Sequence, residues 1–241
     1  MKLRKLFAAS AALALTLSMG LNAFAEGIDV SGVDAAQKGT GGMVSSDDLK
    51  SDEAEKGIFD LGSTDVVTYS DGVYTISTSE ISVNVYPPFG WYCLTQDLSQ
   101  QMDLYTAIFK DPTGVVQHMI EGNTHALMLD SSWNYNCELR IYQDSISALV
   151  GDSSSLSSVD ESIILNHIKE NCFSDCTDAT ADTYGSSRFY KFVFAGGTSV
   201  LYETYVNSVC IDFFIYADDN SVIGSDICSD VEYMLGDFSA S

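Results

Sequence analysis

Basic side chains are scarce in this sequence. Its 241 residues include 11 Lys and Arg but 34 Asp and Glu, so the formal net charge is −23 at pH 7. Binding of nucleic acid or anionic lipid requires clustered Lys and Arg that displace counterions, and the composition argues against both as partners. Cationic peptides, basic cell-surface proteins and divalent cations stay open. An acidic surface by itself keeps a protein soluble and monomeric, and we expect a monomer.

Long apolar runs are also lacking, with one exception at the N-terminus. Three basic residues within positions 1–5 precede an apolar run at 6–21, and a small-x-small triplet ends at Ala25. This order is typical of a cleavable secretory signal peptide, and the run falls short of the roughly 20 residues that span a bilayer. We predict that residues 1–25 are removed before Glu26. The protein is then secreted by bacterial-type export, with no membrane span, 8 basic and 34 acidic residues and a net charge of −26.

The composition divides the exported chain into two parts. Residues 26–60 are rich in Gly, Ser, Asp, Glu and Lys and have few large apolar side chains, which predicts a disordered tether. Residues 61–241 carry regular apolar patterns and predict a single domain. The whole chain is 46% hydrophobic, which is enough for a packed core.

The first half of this domain carries signals for strands and one helix. Apolar and β-branched residues at 66–69 and 73–76 flank an Asp-Gly turn and predict a hairpin. The strictly alternating segment 81–86 predicts a strand that ends at two prolines. Asp111 followed by Pro112 predicts the start of a short helix, and further strands are expected at 125–130 and 136–142.

The second half carries two helix signals around three strands. Ser158 and Glu161 form a capping-box pattern ahead of a helix. Its apolar face is predicted to contain Ile163, Ile164, His167 and Ile168. Strands at 188–194, 199–206 and 209–216 have short connections, as in an antiparallel meander. A terminal helix is predicted from the stripe Ile223, Ile227, Val231, Leu235 and Phe238. The order predicts an α+β fold with a mostly antiparallel sheet flanked by helices.

The strand that ends in Pro88-Phe89-Gly90-Trp91, together with the later meander and terminal helix, resembles the PsbP-like fold. That family is found in an extrinsic subunit of photosystem II and in many exported bacterial proteins. The resemblance covers about residues 66–238. It implies an α/β/α sandwich and a non-enzymatic binding or assembly module that docks on protein partners. The resemblance assigns no metal-binding or partner-binding residue of that family to this sequence.

Six cysteines follow the predicted cleavage site. They are Cys93, Cys137, Cys172, Cys176, Cys210 and Cys228. An even number in an exported chain allows disulfides, with 15 full pairings, and the pairing is not predicted. Free buried cysteine is the alternative. Cys172 and Cys176 lack the second ligand pair of a zinc site, and we predict no metal and no cofactor.

Catalytic patterns are weak. The three histidines, His118, His125 and His167, leave open a secreted hydrolase that uses a Cys or a His. No Gly-x-Ser-x-Gly elbow is present, and His167 lies on the apolar helix face, so we assign no catalytic residue.

An aromatic segment is the candidate binding site. Trp133 and Tyr135 lie between two predicted strands, where such rings stack on sugars or anchor protein interfaces. The alternative is that Trp133 fills the core beneath the sheet edge. The sequence therefore predicts a secreted, non-enzymatic binding or accessory module that engages a protein or glycan at the cell surface.

Overall fold

The computed structural model describes residues 65–241 apart from Cys172, Ser174 and Asp218. The predicted signal peptide, its cleavage site at Ala25 and Glu26, and the predicted tether all lie outside the described residues.

The described part of the chain contains eleven strands and five α-helices. The strands are β1 (Val66–Ser70), β2 (Val73–Ser77), β3 (Ser82–Val85), β4 (Tyr92–Thr95), β5 (Thr124–Leu129), β6 (Tyr135–Tyr142), β7 (Cys176–Tyr184), β8 (Ser187–Phe194), β9 (Ser199–Val206), β10 (Val209–Ala217) and β11 (Ser239–Ala240). The helices are α1 (Leu98–Ile108), α2 (Pro112–Glu121), α3 (Ser145–Val150), α4 (Ser158–Asn171) and α5 (Ser225–Gly236), and a short 3-10 turn spans Ser153–Ser155.

These strands form two sheets. The large sheet has seven strands in the order β4-β5-β6-β10-β9-β8-β7, and the small sheet has the order β1-β2-β3-β11. Every neighbouring pair is antiparallel. The predicted α+β class with an antiparallel sheet and flanking helices is confirmed.

The two faces of the large sheet bury different partners. Successive side chains of a strand point to opposite faces, so Phe213 and Phe214 of β10 enter different cores. On one face, α1, α2, α3 and α4 pack against the sheet. On the other face, the small sheet and α5 cover it. The first layer is helical, as expected, whereas the second combines a helix with the small sheet.

Local sequence signals set several element boundaries. The hairpin between β1 and β2 turns at Asp71 and Gly72, whose φ angles of 53° and 85° suit a two-residue turn. Helix α2 begins at Pro112, and the carboxylate of Asp111 accepts a hydrogen bond from Gly114 N at 2.9 Å. Both predictions are confirmed.

The predicted cap of α4 is wrong by one residue. Ser157, not Ser158, caps the helix, because its Oγ accepts a hydrogen bond from Asp160 N at 3.2 Å. Glu161 is instead bound to the guanidinium of Arg188, with Nε and Oε1 2.6 Å apart. Ile163 does not belong to the buried face either, since 61% of its surface is exposed.

Candidate functional site

Three exposed aromatic side chains lie on the β3–β4 loop and at the first residue of β4, and a fourth lies on the neighbouring β5–β6 loop. We call this surface the aromatic end and define it as Tyr86, Phe89, Tyr92 and Trp133. The β3–β4 and β5–β6 loops adjoin each other because β4 pairs with β5, with Tyr92 opposite Leu129. The sequence predicts a site at Trp133 but not at its neighbours, since only the strand pairing brings the two loops together.

The β5–β6 loop is held in one conformation by Asp130. The carboxylate of Asp130 accepts hydrogen bonds from the backbone N–H groups of Ser132 at 2.9 Å, and of Asn134 and Tyr135 at 2.8 Å each. It also accepts one from the Ser132 hydroxyl. Burial opposes ionisation of Asp130, but these hydrogen bonds outweigh it and lower the pKa of the carboxyl group.

Trp133 has an unusual backbone conformation within this loop. Its φ is 61°, which is uncommon for a bulky residue and needs support from surrounding contacts. The indole stacks on the Tyr92 ring with centroids 4.8 Å apart and planes 16° apart. Trp133 stays 41% exposed. It therefore presents a ring to solvent, whereas Tyr135 is half-buried and packs against the core.

Phe89 lies at the tip of the other loop. The backbone N–H of Trp91 donates to the carbonyl of Pro88 at 3.0 Å and closes a β-turn. Gly90 has a φ of 83° at the third position, which favours glycine. The turn leaves Phe89 fully exposed, while Trp91 beside it packs partly against the core.

The segments that form the aromatic end contain no charged residue of their own, although the exposed Asp219 follows two residues after Ala217, the β10 partner of Tyr135. Residues 86–93 and 131–137 contain no Asp, Glu, Lys, Arg or His, although the chain as a whole has a net charge of −23. Asp130 is buried, and its carboxylate faces the loop backbone. Aromatic enrichment with depletion of charge is the composition of interface cores.

A second cluster of polar residues lies inside the protein. We call it the buried charged cluster and define it as Glu138 and Arg140 of β6, Glu203 of β9 and Asp212 of β10, all at most 4% exposed. The register places Asp212 opposite both Arg140 and Glu203. Arg140 Nε donates to Asp212 Oδ1 at 2.7 Å, and the guanidinium lies 5.2 Å from the centre of the Phe214 ring. No sequence pattern predicts this cluster.

The carboxyl groups of this cluster have different partners. The Tyr216 hydroxyl donates to Glu138 Oε1 at 2.8 Å. The Tyr205 hydroxyl donates to Glu203 Oε1. Burial raises the pKa of Glu203 to about 8, in spite of the opposing effect of the Tyr205 hydroxyl. Glu203 is therefore mostly protonated at neutral pH, and the guanidinium of Arg140 is paired with Asp212.

Two members of the buried charged cluster, Glu203 and Asp212, form with Cys210 the one group of potential metal ligands found among the described residues. Ligand atoms of Glu203, Cys210 and Asp212 lie within 4.8 Å of one another. Both oxygens of Asp212 already accept hydrogen bonds, from Arg140 and from the Tyr142 hydroxyl at 3.1 Å. Burial raises the pKa of the Cys210 thiol, so a metal would have to displace its proton as well. The Asp212 carboxylate is thus already bound by Arg140 and Tyr142.

The three histidines differ in their surroundings. His125 Nδ1 lies 2.7 Å from Asp65 Oδ2, and its Nε2 lies 3.1 Å from the Ile141 carbonyl oxygen. Both ring nitrogens thus face oxygen acceptors of the protein, and no cysteine or serine nucleophile is among their hydrogen-bond partners. His118 is half-exposed on α2 beside Glu121 at 3.6 Å. His167 lies partly buried on α4.

The five cysteines in the described part of the chain carry free thiols. Burial raises the pKa of the fully buried thiols of Cys93, Cys137 and Cys210. It also raises the pKa of Cys176 and Cys228, which are only partly buried. The thiolate is the nucleophile, and a raised pKa disfavours it. Cys172 lies outside the described residues.

Cys93 and Cys137 enter the same core but are separated by a strand. Met128 of β5 lies opposite both residues, one on each side. Two strand spacings correspond to roughly 10 Å, beyond the roughly 7 Å between Cα atoms that a disulfide bridges.

Comparison of the chain with protein-family models, with curated proteins and with solved structures gives no match. The resemblance to the PsbP-like fold stays a prediction. Among the described residues, no helix has both the length and the apolar character required to cross a bilayer.

Proposed function

We propose that this protein is a secreted, non-enzymatic binding or accessory module that engages a protein or glycan at the cell surface through its aromatic end. One observation carries the proposal: four exposed aromatic side chains, two of them stacked on each other, belong to two adjoining segments without charged residues in a strongly acidic chain. Exposure of aromatic surface to water is unfavourable, and binding of a partner would bury that surface.

The rigidity of the β5–β6 loop supports this role. A loop fixed before binding loses less conformational entropy when its partner arrives. Four hydrogen bonds to Asp130 hold the loop, and Tyr92 supports the Trp133 ring from one side. The unusual φ of Trp133 is thus part of a surface with a preset shape.

The location of the protein is part of the same proposal. Its support is the signal-peptide pattern at residues 1–25, with cleavage before Glu26. The acidic composition adds an expectation about the partner, since nucleic acid and anionic lipid would be repelled.

The test is binding to intact cells of the producing culture. Fluorescently labelled protein is incubated with the cells, and the bound fraction is measured for wild type and for Trp133→Ala. Loss of a central aromatic contact costs on the order of 2 kcal/mol, so we expect about a 30-fold weaker association. Tyr233→Ala is the matched control, because Tyr233 is 77% exposed on α5, outside both loops.

The two variants separate the proposal from its alternatives. We expect Tyr233→Ala to bind like wild type, and both variants to keep the wild-type thermal midpoint. Equal retention of Trp133→Ala and Tyr233→Ala on cells would show that the aromatic end does not bind the surface.

A further inference from the structure

We propose that the exposed face of the Trp133 indole binds a neutral polysaccharide by stacking on its sugar rings. This inference rests on the proposed binding function and narrows it to one class of ligand. Its basis is the geometry of one ring, the charge around it and the polar groups beside it.

The Trp133 ring offers a flat surface. Because the Tyr92 ring is nearly parallel to it at 4.8 Å, one face of the indole is covered and the edge cannot rotate freely. The remaining exposure of Trp133 is available to a ligand. The C–H groups on one side of a pyranose form a flat apolar patch, which matches the negative face of an aromatic ring.

The charge of the surface favours an uncharged ligand. A cationic protein would be drawn to the carboxylates elsewhere on this acidic chain, and the two loops of the aromatic end supply none. An anionic polysaccharide would be repelled by the net charge of −26 that the chain carries after removal of residues 1–25, and it finds no Lys or Arg in either loop. A neutral glycan is not repelled by the acidic chain and needs no charged side chain in the loops.

Polar side chains of the same loop can form hydrogen bonds with the hydroxyl groups of a sugar bound on the Trp133 ring. Asn134 is exposed, and its Nδ2 donates one hydrogen bond to Ser132 Oγ at 3.0 Å. An amide has two N–H donors and a carbonyl acceptor, so a second N–H and the oxygen can serve a ligand. Ser131 of the same loop is also exposed. Hydroxyl and amide groups around an aromatic face match the alternating C–H and O–H groups of a sugar.

The small size of the site indicates a polymer. A single stacked sugar yields an affinity in the millimolar range, about −4 kcal/mol. A repeating chain offers many equivalent positions, and Phe89 on the adjoining loop supplies a second ring for a neighbouring sugar. An insoluble or surface-attached polysaccharide therefore fits better than a free monosaccharide.

The experiment is a depletion assay on three insoluble neutral polysaccharides: cellulose, chitin and starch. The purified protein is mixed with each solid, and the unbound fraction is measured for wild type, Trp133→Ala, Trp133→Tyr and Tyr233→Ala. We expect wild type and Tyr233→Ala to bind at least one solid equally. Trp133→Ala should bind it about tenfold more weakly, and Trp133→Tyr should retain most of the binding. Because the contact is uncharged, about 1 M NaCl, where the Debye length is about 3 Å, should leave it unchanged.

Three results would overturn the inference: binding to none of the solids, equal binding of Trp133→Ala and wild type, or loss of binding at high salt. The proposed function is tested separately on cells. If Trp133→Ala loses cell binding while wild type binds no polysaccharide, the aromatic end is an interface for a protein.

Discussion

The carboxyl group of Glu203 makes the stability of this protein depend on pH. Burial raises its pKa from 4.5 to about 8. The folded state therefore holds a proton that the unfolded chain releases above pH 4.5. As pH rises from about 4.5 to about 8, the free energy of unfolding falls, and above about 8 this contribution is constant. At 1.36 kcal/mol per pH unit, the full loss is about 5 kcal/mol.

Glu203→Gln tests this reasoning. The Gln side chain has nearly the same shape and keeps an acceptor for the Tyr205 hydroxyl, but it has no proton to release. We expect the variant to lack most of the decline between pH 5 and pH 8. At about pH 9, where wild-type Glu203 is ionised, the variant should be several kcal/mol more stable. Urea unfolding monitored by circular dichroism, at about pH 5, 6.5, 8 and 9, gives these free energies.

Glu232→Gln is the control for removing any carboxylate. Glu232 is partly buried, but hydrogen bonds from Lys191 and Tyr202 outweigh that burial and lower its pKa. This substitution should leave the wild-type decline between pH 5 and pH 8 in place. Parallel stability curves for wild type and Glu203→Gln across that window would refute the assignment of the buried proton to Glu203.

Two other substitutions test the buried packing by urea unfolding. Arg140→Met should lower the free energy of unfolding by about 3–5 kcal/mol, because it leaves the Asp212 carboxylate buried without its cation. The double variant Arg140→Met with Asp212→Leu should recover much of this loss. No recovery would contradict the ion-pair explanation. Gly185→Ala should lower stability more than Gly196→Ala. Both glycines have a positive φ, but only at Gly185 would an added Cβ clash with backbone, at 2.1 Å from the carbonyl oxygen of Gly236. Equal losses would show that this contact relaxes freely.

Much of the sheet could be predicted from the sequence, because its strands are runs rich in β-branched and aromatic residues bounded by turn residues. The hairpin at Asp71 and Gly72 is of this kind, and so are the strands after residue 187, whose side chains are largely buried on both faces. Strand β7 was missed because it is an exposed edge strand of small and acidic residues. Helix α1 was missed as well. Its backbone is irregular at Gln101, with a φ of −121°.

The candidate site was predictable only in part. Trp133 stood out as an aromatic residue between strands, but its stacking on Tyr92 depends on the pairing of β4 with β5. The buried charged cluster was hidden for a different reason. Alternation in β6 places Glu138 and Arg140 on one face, yet it does not reveal that helices cover that face.

Hydroxyl-radical footprinting of cell-bound protein tests the central claim most directly. Oxidation of individual side chains is compared between protein free in solution and protein bound to intact cells. The binding role of the aromatic end predicts strong protection of Trp133 and Phe89, with unchanged oxidation of Tyr233 on α5. Protection of Tyr233, with Trp133 and Phe89 oxidised as in free protein, would contradict it.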